Sequence, residues 1–258
     1  EIMPSLVGSE MCIRDRTSYT QTKPTQQTLE NGTLPTNAGT YTASITMGSA
    51  TASVTYTIGK ATPKAEDFTF TAPTSLTYDG NVKSATVSPA KAGTGDVIVK
   101  YYDKDGKEAT PKNAGEYTVK IDVAESTNYA AANGLTADGW KFSITKAAAP
   151  AAETGSLTIT NGTQLTYTYD FSKLLPELSE GEYGTISYGN QADISLVSQS
   201  GYYYDETIVE FKNGVLILAQ FYAKDGNMTG QIGTVKVNVT TTNYADFQLT
   251  LVLNAINQ

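Results

Sequence analysis

Few side chains in this chain could do chemistry, and their types narrow what it can be. There is no histidine among 258 residues, and the one cysteine is Cys12. Ser/His/Asp and Cys/His catalysis need an imidazole beside the nucleophile, and most zinc centres draw on histidine and thiolate. Carboxylates remain, and a pair flanking a sugar could cleave a glycosidic bond. Yet the acidic residues sit mostly beside turns (Asp79, Asp103, Asp105, Asp225), where they ordinarily accept hydrogen bonds from their own backbone. Asp103-Lys-Asp-Gly-Lys-Glu108 opens like a calcium loop, but it is too short and lacks the distal glutamate of the twelve-residue frame. A hairpin turn is the expectation there. Tyr202-Tyr203-Tyr204 is the one candidate for ligand stacking. Three rings in a row on a strand send at least one to each face, and an exposed ring can stack on a sugar. The plainer expectation is a core residue plus one exposed ring. No catalytic residue, metal ligand or cofactor is expected.

The bulk numbers exclude further classes. Net charge is −8, whereas nucleic-acid binding needs clustered Lys and Arg; the acidity reads as solubility. No run of about 18 apolar residues could span a membrane, so no membrane insertion is expected in this stretch. Thr occurs 39 times and Tyr 17 times, while charged residues make up 17%. Thr and Tyr suit pleated, half-buried surfaces, and no window keeps a helical period. Four Asn-x-Thr sites (Asn31, Asn161, Asn227, Asn238) carry little weight in a chain this rich in threonine.

The elements that must position these residues are announced by a phrase that occurs twice. Pro35-Thr-Asn-Ala-Gly-Thr-Tyr-Thr42 returns 76 residues later as Pro111-Lys-Asn-Ala-Gly-Glu-Tyr-Thr118. Each copy runs into alternation: Tyr41, Ala43, Ile45, and then Tyr117, Val119, Ile121. Each is followed by a second pattern, Tyr56-Thr-Ile-Gly-Lys-Ala61 and Phe142-Ser-Ile-Thr-Lys-Ala147, 86 residues apart. Spacings of this size fit a small β-sandwich rather than a solenoid turn.

A third, diverged copy follows. Tyr222-Ala-Lys-Asp-Gly-Asn echoes Tyr102-Asp-Lys-Asp-Gly-Lys, and Thr242-Asn-Tyr-Ala echoes Thr127-Asn-Tyr-Ala. Strands are expected near 40–46 and 51–58. The alternations Phe68/Phe70, Val97/Val99/Tyr101 and Trp140/Phe142/Ile144 predict others, with Trp140 in the core. Asn213-Gly214 between two β-rich runs predicts a type I′ hairpin. Asn31-Gly32 reads as a turn, and Leu174–Ser179 as a short helical turn. Gly59–Lys64 and the Ala/Pro run 146–152 read as linkers. Gly39 and Gly115, at the same point of the repeated phrase, are expected to need positive φ or a backbone approach that a side chain would block.

With Tyr78-Asp-Gly80, the Asn-Ala-Gly-x-Tyr-Thr phrase and the closing Phe142-Ser-Ile-Thr-Lys-Ala147 in register, residues 64–147 resemble bacterial surface repeats of the MBG/YDG type. The resemblance is partial over 17–62 and weak over 154–258. It implies an immunoglobulin-like architecture in long arrays on large secreted or surface-anchored proteins. Such modules are mostly spacers, stalks or adhesin segments, and the resemblance implies no catalytic residues.

Residues 6–16, Leu-Val-Gly-Ser-Glu-Met-Cys-Ile-Arg-Asp-Arg, are similar along their length to a translated sequencing adapter, so residues 1–16 read as a non-native leader and Cys12 is discounted. The expected organisation is then a leader over 1–16, a partial repeat over 17–62, a complete sandwich over 63–149 and a diverged repeat over 150–258. The fold class expected is all-β, in tandem immunoglobulin-like modules. Two function classes follow. One is a non-catalytic structural or adhesive array outside the cell, whose partners are its own neighbouring repeats. The other is a carbohydrate-binding accessory module of an extracellular enzyme or adhesin; host or environmental glycans or proteins are the further partners open to the chain.

Overall fold

In a computed structural model, the residues described are 17–29, 33–160, 165–178, 181–196, 202–203, 208–223 and 229–257. The leader read over 1–16 and the Asn31-Gly32 turn lie outside them. Among these residues the chain is β throughout, apart from two single 3-10 turns. The all-β class expected from the sequence is the one observed.

The first repeat holds β1 (Thr17–Lys23), β2 (Gln27–Thr28), β3 (Gly39–Met47) and β4 (Ala50–Ile58), in sheet order β2-β1-β3-β4. Its alternation separates two chemistries by strand pleat. Tyr41, Ala43, Ile45 and Met47 lie opposite Tyr56, Val54, Ala52 and Ala50 on one face. On the other, Thr40, Thr42 and Thr46 pair with Thr57, Thr55 and Thr51 through hydroxyls 3.0–3.3 Å apart. Cross-strand threonine pairs of this kind hold register at the scale of tenths of a kcal/mol each.

The second repeat contains β5 (Phe68–Thr71), β6 (Thr86–Pro89), β7 (Val97–Tyr102), β8 (Gly115–Val123), β9 (Ala132–Leu135) and β10 (Lys141–Ile144). β5 and β6 form their own pair, and β10-β8-β7 form a sheet to which β9 adds on β8. β8 buries every second residue, Tyr117, Val119, Ile121 and Val123, as its alternation requires. Trp140 is buried and stacked on Phe70, with ring centroids 6.1 Å apart.

The third repeat is a two-sheet sandwich. Its strands are β11 (Thr154–Thr160), β12 (Leu165–Asp170), β13 (Ile186–Tyr188), β14 (Asp193–Leu196), β15 (Tyr202–Tyr203), β16 (Ile208–Lys212), β17 (Val215–Ala223), β18 (Gly230–Thr241) and β19 (Phe247–Ile256). One sheet runs β11-β19-β18-β13 with β14 also on β18, and the other runs β12-β17-β15 with β16 also on β17. Val235, Val237 and Val239 of β18 meet Leu249, Leu251 and Leu253 of β19, with Leu216, Leu218, Ile159 and Phe171 in the same core. Asn213 and Gly214 both have positive φ, 50° and 80°, as the type I′ turn between β16 and β17 demands.

The helical turn expected over 174–179 forms earlier, as a 3-10 turn at Phe171–Leu174. The Asp170 carboxylate accepts from the Ser172 amide and caps its start. Its end is set by Pro176, which holds Leu175 in an extended conformation.

By packing, the described chain divides into two compact units. One takes the chain through Ala72 with Ala85–Tyr102 and Thr118–Lys141; the other takes Pro73–Ser84, Asp103–Tyr117 and Phe142–Gln258. The second repeat thus contributes to both. In the first unit Asp67 is the one buried carboxylate among the described residues. It accepts from the Lys91 ammonium and, at 2.9 Å, from the Lys64 amide. The Lys91 hydrogen bond is the main cause, with the Lys64 amide, that holds its pKa below the usual carboxylate range.

A depressed folded-state pKa means that the unfolded chain binds more protons, so this stabilisation is present above the unfolded value of about 4 and drains as pH falls through the folded one. Asp67→Asn should therefore flatten the acid limb of the stability profile. Urea unfolding followed by Trp140, the sole tryptophan, measures it. An acid limb as steep as that of the parent would mean that Asp67 contributes no such linkage.

Candidate functional site

The turn residues that recur in the sequence meet one another. In the first unit, the Asn128 side chain sits over the Asn37-Ala38 turn: its Oδ1 accepts from the Ala38 amide at 2.8 Å, and its Nδ2 donates to Asn37 Oδ1 at 2.9 Å. In the second, Asn243 does the same to Asn113-Ala114, with distances of 2.9 and 3.1 Å. Thr-Asn-Tyr-Ala of one repeat therefore grips Asn-Ala-Gly of the repeat before it, twice. Asparagine suits the task because one amide carries an acceptor and a donor side by side. Aspartate would lack the donor.

The linkers are held by the same loops. The Ala61 amide donates to Asn128 O at 2.8 Å, and the Ala130 amide donates to Ala61 O at 2.9 Å, a single rung of parallel β-structure. At the second junction Ala147 donates to Asn243 O and accepts from the Ala245 amide, both at 2.8 Å. The lysine before each alanine is also paired: Lys60 with Glu125 at 2.6 Å, and Lys146 with Asp246 at 3.1 Å. The Lys60 hydrogen bond holds the Glu125 carboxyl below its ordinary pKa. Both pairs are solvent-exposed, so each adds little.

Two features of the repeated phrase now have a cause. Tyr41 and Tyr117 fold back to donate to the carbonyls of Asn37 and Asn113, at 2.8 and 3.0 Å, and so fix the turn that is gripped. This is the logic of the tyrosine corner of β-sandwiches. Gly39 and Gly115 are needed for different reasons. A Cβ on Gly39 would lie 2.7 Å from the Lys23 carbonyl, whereas Gly115 has a φ of +153°.

The second junction is the more deeply built. Asn243 is fully buried, and its Nδ2 donates also to Glu182 O at 2.8 Å. Around it, Tyr244 meets Tyr78 and Tyr183 edge-on, at 5.6 Å in both cases. Tyr78 belongs to the Tyr-Asp-Gly motif, so that motif too lies at the junction. Burial pushes the phenol pKa values of Tyr78, Tyr183 and Tyr244 up. The Tyr78 hydroxyl is buried without a hydrogen bond of good geometry.

Among the described residues the turn carboxylates Asp79, Asp103 and Asp105 do not form a metal-type cluster, and Asp225 lies outside those residues. The Asp103 carboxylate accepts from the amides of Asp105 and Lys107, at 3.0 and 2.9 Å, which closes the hairpin turn. Tyr202 and Tyr203 form β15, paired with Tyr222 and Ala223; their rings, and Tyr204 entirely, lie outside the described residues. Among those residues no three acidic, cysteine or histidine side chains cluster as a metal would need. Among them too, no helix is long and apolar enough to cross a membrane.

Comparison with protein-family models finds no match, and comparison with curated proteins finds none. Among solved structures, the chain is similar to the I67–I69 I-band fragment of titin, at 10% identity and a TM-score of 0.35, over 94% of this chain and 88% of that one. It is similar to extracellular domains 3–5 of Drosophila OTK, at 11% identity and 0.29, over 96% and 88%. It is also similar to the N-terminal eight Ig domains of DSCAM, at 13% identity and 0.25, over 92% and 32%.

Asn243→Ala strips partners from the Ala114 amide, Asn113 Oδ1 and Glu182 O at once, and should cost about 1–3 kcal/mol in urea unfolding. Asn128→Ala, at a more exposed junction, should cost less. Hydrogen exchange at Ala114 and Ala147 should accelerate in Asn243→Ala, and equal exchange in parent and variant would refute the grip. Gly115→Ala should cost about 1 kcal/mol or more, because alanine is strained at that φ; a neutral result would mean the turn relaxes freely.

Proposed function

We propose that this chain is a stretch of a non-catalytic structural array, built from repeats of the MBG/YDG type, belonging to a large bacterial secreted or cell-surface protein. Its work is to carry other parts of that protein at a distance. The observation that supports this most is the junction that occurs twice: each repeat grips the turn and linker of its predecessor with an asparagine side chain and one rung of β-pairing. Repeats coupled to their neighbours behave as a chain of nearest-neighbour interactions, in which each unit raises the stability of the next. The residue types that recur from repeat to repeat are those that make this junction.

The competing reading, a carbohydrate-binding accessory module, rests on Tyr202, Tyr203 and Tyr204. A glycan array and titration against soluble polysaccharides separate the two. The expected result is no specific binding. Specific binding that is lost in Tyr203→Ala, with folding intact, would overturn the spacer reading in favour of a lectin-like one.

A further inference from the structure

The first and last strands of the third repeat lie side by side. β11 pairs with β19 in parallel, from Thr154 opposite Thr250 to Thr160 opposite Ile256, with no shift of register. Every other strand of that sandwich falls between these two in sequence, so the ladder ties the way into the repeat to the way out. Among the described residues β11 is an edge strand whose one partner is β19. Side chains fix it in place. Ile159 is fully buried in the core, Asn254 Nδ2 donates to Ser156 Oγ at 2.8 Å, and the Thr160 amide donates to the Tyr167 hydroxyl at 3.0 Å.

The direction of the strands decides how such a ladder meets tension. When one parallel strand is pulled at its N-terminal end and its partner at the C-terminal end, the two slide lengthwise and all rungs strain together. Strands pulled apart at one shared end part rung by rung. Tension on the chain at both flanks of the third repeat reaches β11 at Thr154 and β19 at Ile256, which are opposite ends of the ladder. The same two segments also meet at the junction, where Ala147 lies parallel to Tyr244. The second repeat follows this plan with less. Its opening and closing segments meet in parallel at the isolated bridge of Thr77 with Thr145, closed by the Tyr78 amide on Thr145 O at 2.9 Å and the Thr145 amide on Leu76 O at 2.6 Å.

We propose that the β11–β19 ladder is a load-bearing clamp, so that under stretching the second repeat opens first and the third holds longest. The proposal rests on the array reading above, since only a chain that carries other parts is pulled at both flanks. Forced opening is governed by the barrier to unfolding rather than by equilibrium stability. The ladder therefore sets the strength of the repeat, whatever share of its stability comes from the core.

The test is single-molecule stretching of the full chain in two geometries. In one, handles are fused to the two ends of the chain. In the other, they are attached at Thr154→Cys and Thr250→Cys in a Cys12→Ser background. Thr154 and Thr250 face each other at one end of the ladder, so the same rungs then part in turn. Thr154 is exposed and Thr250 partly so, and far-UV circular dichroism checks that the variant keeps its fold. In the end-to-end pull, the event that releases residues 154–256 should come last, at about twofold or more the force of the second geometry, because the rungs are strained together. Equal forces in the two geometries overturn the proposal, as does release of residues 154–256 before the second repeat. Either result leaves the spacer reading standing, whereas specific glycan binding would remove that reading without altering the forces.

Discussion

Everything specific about this array follows from one backbone amide. A turn that delivers the chain into a strand leaves an N–H with no partner in its own ladder, and such a group cannot be buried unpaired without cost. In both copies the amide is that of the alanine in Asn-Ala-Gly, and in both the acceptor is an asparagine of the following repeat. Once that acceptor is in place, its loop backbone lies where it can pair with the linker. The linker alanine then cannot act as a loose tether, whatever its composition suggests. The short Lys-Ala segment, the tyrosine that pins the turn and the glycine that follows it all serve the same contact.

The two junctions share their hydrogen bonds but differ in surroundings, and the difference sets their strength. Asn128 works at a part-exposed site, where water competes for each donor and acceptor. Asn243 is fully buried, beside the ring cluster of Tyr78, Tyr183 and Tyr244. In a low-dielectric setting a satisfied hydrogen bond is stronger and an orphaned one more costly. Each compact unit contains one whole junction. That is the physical reason the units do not follow the boundaries of the repeated sequence: the grip draws the front of one repeat's loop into the packing of its neighbour.

Much of this was legible in the chain and some was not. The alternations fixed which residues of β8, β10 and β3 share a face, and the Asn-Gly pair fixed the β16–β17 turn, because both are local rules of strand pleat and turn sterics. The helical turn was misplaced because its start depends on a cap at Asp170 and its end on Pro176, neither of which periodicity registers. That Asn-Ala-Gly and Thr-Asn-Tyr-Ala touch was hidden, since they lie 90 or more residues apart. One signal was nevertheless present. The first phrase recurs at 76 residues and the closing strand at 86, so the second repeat is longer between them. The first repeat joins β3 to β4 through Gly48 and Ser49, whereas the second carries Thr127-Asn-Tyr-Ala in the corresponding connection. The added residues hold the gripping loop and β9.

This asymmetry gives the array a direction. The loop belongs to the later repeat and the gripped turn to the earlier one, so a repeat needs both features to be joined on both sides. The second has both. The third has the loop, but Gln231-Ile-Gly replaces Asn-Ala-Gly, and Ile232 is buried in its own core, so it offers no comparable turn. Because donor and receiver are different surfaces, two copies of one repeat cannot close on each other through this contact as a symmetric pair, and contacts of this kind propagate head to tail. Order between the modules thus comes from amide pairing, set by sequence in one direction only.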